Sequence, residues 1–105
     1  MNAQEFNAMV DSLMEKDVVD LDNLTNILKR DSAIIEFEKK NGDLRVMNAT
    51  INLKKIPKDK RPKKEMKKPE YILTVFDLDK KDWRSMRIFS IKKVSFKNKI
   101  FKFKK

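Results

Sequence analysis

Trp83, Arg84 and Arg87 place an indole and two guanidinium groups within five consecutive positions. Guanidinium forks grip phosphate oxygens bidentately, and an indole offers a flat face for a nucleobase. The chemistry open to this trio is recognition of a phosphodiester chain. A competing reading buries Trp83 at the rim of the core and pairs both arginines with Asp77, Asp79 or Asp82. On a regular strand Arg84 and Arg87 point to alternate sides, so one ligand need not meet both.

A second basic feature lies upstream. Residues 54–68 hold Lys54, Lys55, Lys58, Lys60, Arg61, Lys63, Lys64, Lys67 and Lys68 against Asp59 and Glu65 alone, nine bases to two acids and a local net charge of +7. Pro57 and Pro62 stiffen the run and Pro69 closes it. Such a segment reads as a charged loop presented to solvent, whose simplest partner is a polyanion. Lysine gives little geometric specificity, so binding through it should be largely independent of base sequence and steeply salt-dependent. The plainer reading is a solvated lysine-rich face. The tail bases Lys92, Lys93, Lys97, Lys99, Lys102, Lys104 and Lys105 could extend the same positive surface.

Other chemistries lack their parts. The chain has no Cys and no His, which removes disulfides, thiolate metal sites and the commonest general base. Ser12, Ser32, Ser85, Ser90 and Ser95 therefore have no imidazole partner, and no convergent carboxylate pair stands out. Asp77, Asp79 and Asp82 have the spacing of a hard-cation loop, but neither the glycine nor the closing glutamate of one, and read as a charged turn. Asn48 and Thr50, on one strand with Arg45, could touch a base, though polar outward positions are ordinary there. We expect no enzyme, no metal and no cofactor.

The elements that must carry these residues follow from periodicity. At 105 residues, with 40% hydrophobic and 40% charged residues, the chain suits one domain with a modest core and a charged shell. Phe6, Met9, Val10, Leu13 and Met14 form one stripe of an amphipathic helix with Asn2 as its cap. Asp20 caps a second, carrying Leu21, Leu24, Ile27 and Leu28. Residues 1–30 hold six acids and three bases, net −3, whereas residues 31–105 hold 23 bases and 10 acids, net +13. The helices either pack on the rest of the chain or form an acidic arm for a partner.

From Ser32 the period changes. Strands are expected at residues 33–40 and 44–53, joined by a type I′ turn at Asn41-Gly42. Further strands fall at 71–76, at 83–91 with a change of parity that implies a bend, and at Val94-Phe96. Asn98-Lys99 turns into a last extended piece with Ile100, Phe101 and Phe103. Five short antiparallel strands in this length are best closed as a small barrel, which removes exposed edges.

The stretch Tyr71 to Ile91 resembles the core motif of WYL-type domains: an aromatic-rich strand ending in Asp, a charged turn, then Trp83-Arg84-Ser85-Met86-Arg87 and a closing Ile. Upstream, Asn41-Gly42-Asp43-Leu44-Arg45-Val46-Met47-Asn48-Ala49-Thr50, followed by Ile56-Pro57 and Lys60-Arg61-Pro62, is similar to the small phage-encoded branch of that group. The resemblance covers roughly residues 32–96. It implies an Sm-like SH3 barrel and a regulatory protein that senses ligands or nucleic acid. Two positions depart from the pattern: Ile72 replaces the middle tyrosine, and Phe89-Ser90 replace an Asp-Arg pair, which argues against a nucleotide-sensing pocket.

These readings converge on an α+β protein. An acidic helical segment at 1–30 precedes a five-stranded SH3-like/Sm-like antiparallel β-barrel at 31–105 with its basic loop at 54–69. The expected role is a non-catalytic, cytoplasmic regulatory factor binding DNA or RNA, in the host cell if phage-encoded, with no membrane contact and an oligomeric state left open. The rival is a modulator of a host protein complex, and a small-molecule sensor stands third.

Overall fold

A computed structural model describes residues 1–63 and 69–105. Two helices, α1 (Ala3–Met14) and α2 (Leu21–Arg30), flank a two-residue strand β1 (Val18–Val19). The strands β2 (Ser32–Glu38), β3 (Leu44–Thr50), β4 (Ile72–Asp77), β5 (Asp82–Arg87), β6 (Ile91–Phe96) and β7 (Lys99–Phe103) follow. They form one seven-stranded sheet in the order β1-β7-β6-β2-β3-β4-β5. All pairings are antiparallel except β1 with β7. The expectation of five strands closed into a barrel is therefore corrected: the sheet has seven strands, and its end strands β1 and β5 do not pair with each other.

Both helices start where the caps predict. The Asn2 side chain accepts from the Glu5 backbone N–H at 2.8 Å and Glu5 reaches back to Asn2, a capping box; Asp20 accepts from the Asn23 N–H at 2.9 Å. Their apolar stripes join the common core. Phe6, Val10 and Leu13 of α1 and Leu24, Ile27 and Leu28 of α2 belong to the same buried cluster as Ile35, Val75, Val94 and Phe101 of the sheet. The carbonyls at the end of α2 are capped from β3 and the residues after it. The Thr50 hydroxyl lies 2.7 Å from the Asp31 oxygen, the Ile51 N–H donates to Leu28, and the Asn52 amide donates to Arg30. Thr50 is fully buried in this role, which removes it from the candidate base contacts.

Turn chemistry departs from expectation in one place. Only Gly42 of the β2–β3 turn has positive φ (91°), and its N–H donates to the Lys39 carbonyl. The turn is one residue longer than a type I′ turn, with the left-handed position falling on Gly42 after Lys40-Asn41. The Asn41 side chain fixes it by accepting from the Asp43 N–H at 3.1 Å. The two-residue left-handed turn sits instead at Lys97-Asn98 (φ 49° and 64°), between β6 and β7. The parity change after Trp83 also has a physical cause: a 3₁₀ turn at Ile88–Ser90 separates β5 from β6. Among the described residues no helix is long and apolar enough to cross a membrane.

Candidate nucleic-acid interface

The inner face of the sheet is set by β-alternation. On β3, Arg45 shares its side with Met47 and Ala49, opposite Phe37, Ile35 and Ala33 of β2. On β5, Arg84 shares its side with Met86, opposite Val75 and Leu73 of β4. Two arginines thus occupy core-facing positions at the end of the domain where the apolar core runs out. β3 and β4 pair only at Ala49–Asp77 and Thr50–Phe76, at the far end of β3 from Arg45, and β6 bulges against β2 at Lys92. A bulge and a short pairing both splay strands.

The result is an open groove of about 500 Å³ between the β2–β3 hairpin and the β4–β5 pair. Its apolar floor is Phe37, Met47, Ile72 and Met86; its polar lining includes Arg45, Arg84, Arg87, Lys39 and Lys40. That size holds a nucleotide-scale ligand. Glu38 also lines it, but its carboxylate is 3.4 Å from Lys92. Among the described residues the other ion pairs are Lys55–Asp31 and Lys99–Asp17, so Arg45, Arg84 and Arg87 have no carboxylate partner there. The pairing of Arg84 and Arg87 with Asp77, Asp79 or Asp82 does not occur. Asp77 is buried and caps its own turn, accepting from the N–H groups of Asp79 and Lys80 at 3.0 Å. Asp82 accepts from the Trp83 N–H.

Trp83 leaves the trio. It lies on the other side of β5 from Arg84, its ring edge-on to Phe76 at 5.5 Å and 78°. Its indole N–H donates to the Lys60 carbonyl at 2.6 Å. Trp83 therefore anchors the basic segment. That segment is folded where described: 3₁₀ turns at Leu53–Lys55 and Lys58–Lys60 flank Ile56, which is buried. The Arg61 Nε donates to the Ile56 carbonyl at 3.0 Å, which spends part of that guanidinium internally. Lys54, Lys55, Lys58, Lys60 and Lys63 are exposed, while Lys64, Lys67 and Lys68 lie outside the described residues. None of the described segment bases lines the groove. The structure brings Arg84 and Arg87 together at the groove and sets the lysines against the other side of β5.

Three groove residues, Arg45, Lys39 and Lys40, were not singled out as a site by sequence reasoning. The available signal was parity: Arg45 is in step with Met47 and Ala49. Two exposed aromatic rings were missed as well, Tyr71 and Phe89.

Two N-terminal helices, an open, mostly antiparallel seven-stranded sheet and a 3₁₀ turn before the strand that returns to β2 define a small basic domain of the SH3-like class. Within that class the chain belongs to the WYL_2 family, described as an Sm-like SH3 beta-barrel fold, whose model matches residues 21–92. The match runs from the first residue of α2 into β6. No curated protein and no solved structure matches the chain.

Proposed function

We propose that this protein is a non-catalytic nucleic-acid-binding factor that grips phosphates with Arg45, Arg84 and Arg87 and gathers its ligand with the lysines of the basic segment. One observation carries this reading: three arginines line one groove, none of them ion-paired among the described residues, and the one carboxylate that lines it, Glu38, is paired with Lys92. Like charges held close repel, and an arrangement of this kind is relieved when an anion enters. Arginine forks fit phosphate oxygens, and a net charge of +10 raises the local concentration of any polyanion. A regulatory role, in a phage-encoded setting, is the biological context in keeping with the resemblance to WYL-type domains.

A second reading has its own support. The sheet face turned away from the core leaves Ile34, Leu44, Val46 and Ile100 exposed, as a protein-docking surface would. Fluorescence anisotropy with labelled duplex DNA, single-stranded DNA and RNA over a salt series separates the two. Binding with a log–log salt slope of several units supports phosphate neutralisation. No binding at low salt by folded protein overturns it and favours a protein partner.

A further inference from the structure

We propose that the sheet face turned away from the core is a homodimer interface, in which two copies pack β6 against β6 about a two-fold axis running along that strand. This goes beyond the phosphate-binding reading and does not rest on it. Alternation sets the face. Val18, Ile34, Val46 and Ile100 are 39%, 45%, 62% and 64% exposed, while their neighbours Val19, Ile35, Met47 and Phe101 are buried. Apolar side chains gathered on one open face mark an interaction surface.

The strand register fixes what lies beside what. One row crosses five strands as Val46 on β3, Glu36 on β2, Lys93 on β6, Lys102 on β7 and Val18 on β1. The next row reads Asn48, Ile34, Ser95 and Ile100. A two-fold axis along β6 sets each position opposite the one equally far on the other side of that strand. Val46 then meets Val18 of the partner subunit, Ile34 meets the partner's Ile100, and Glu36 meets the partner's Lys102. Every apolar position thus finds an apolar one, and the acid finds a base. Self-complementarity of this kind is what a second copy needs and a foreign partner does not.

Charge points the same way. Among the described residues Glu36, Lys93 and Lys102 take part in no ion pair, so the acid and the bases of this face are available to a partner. A carboxylate amid apolar side chains disfavours phosphate there. Lys93 lies on the axis and faces its own copy, but its long stem lets the ammonium group splay towards Glu36. Aligned sheets pack within about 30° of parallel, an offset that Glu and Lys side chains can span. Strands about 4.8 Å apart make the five-strand face about 20 Å wide, a small interface that fits weak, micromolar association.

The test is sedimentation velocity of the full chain from low micromolar to about 100 µM. Salt at about 0.15 M screens the net charge of +10. The native protein should pass from monomer to dimer over that range. Ile34→Lys, shown to be folded by circular dichroism, should stay monomeric. Glu36→Lys alone and Lys102→Glu alone each place like charges opposite one another at two symmetry-related points, and each should weaken the dimer about tenfold or more. The double reversal Glu36→Lys with Lys102→Glu should recover native association. Within one chain these residues stand two strands apart, about 10 Å, so the recovery reports a contact between copies. A native chain that stays monomeric throughout, an Ile34→Lys variant that dimerises like the native protein, or a double reversal no better than the single ones overturns the proposal. Oligonucleotide titration of the Ile34→Lys monomer reads the groove separately, and its result leaves the dimer proposal untouched.

Discussion

Replacing Arg45, Arg84 and Arg87 together by glutamine tests whether the groove meets phosphate. Glutamine keeps most of the aliphatic stem, so the loss is chiefly charge and fork geometry. Each phosphate neutralised on a single strand contributes about 0.7 to the slope of log affinity against log salt. Three arginines on three phosphates therefore account for about two units of slope. A charge-assisted hydrogen bond is worth about 1.5 kcal/mol or more, which makes each single substitution cost about tenfold in affinity. The control is Lys58, Lys60 and Lys63 changed to glutamine, the same charge removed from exposed side chains on the far side of β5. Anisotropy titrations across a salt series, on protein shown to be folded by circular dichroism, give both quantities. The arginine triple should flatten the slope by about two units and the lysine triple by less. An unchanged slope in the arginine triple, with a large loss in the lysine triple, would refute the groove as the phosphate site.

Other outcomes follow from the packing. Trp83→Phe keeps a ring against Phe76 but loses the bond to the Lys60 carbonyl; stability should fall by about 1 kcal/mol in urea titration, and trypsin should cleave the 57–63 stretch faster. Thr50→Val strips a partner from the Asp31 carbonyl and the Asn52 N–H, and should cost about 1–3 kcal/mol in the same titration. Leu13→Ala and Ile27→Ala, both in the buried cluster, should each cost about 2–5 kcal/mol; near-native stability with lost partner binding would instead make the helices a docking arm.

Elements that announce themselves locally were legible. Asn2 and Asp20 cap the helices because short polar side chains before an apolar stripe satisfy free N–H groups wherever they occur. The alternation of Ala33, Ile35 and Phe37 similarly marks a strand with one buried face. What stayed hidden depends on distant partners. Val18–Val19 is too short to show a period and becomes a strand only because β7 lies beside it, with the Lys102 N–H donating to Asp17 and the Lys104 N–H to Val19. On β3 two patterns compete. Leu44 and Val46 argue for one buried side, Met47 and Ala49 for the other; the register with β2 decides for the second and turns Arg45 inward. Trp83 looked like a ligand platform because an aromatic beside two arginines fits phosphate-and-base binding. Its hydrogen bond to a residue 23 positions earlier has no local signature.

Trp83 is the single tryptophan of the chain, and its indole N–H holds the basic segment at Lys60. The protein therefore carries an intrinsic optical probe at that junction. Lifting the segment would break the indole's hydrogen bond and admit water, shifting its emission to the red, whereas a ligand confined to the groove would leave the band in place. The wavelength of one emission peak thus tells which side of β5 a partner has engaged, without any label being attached.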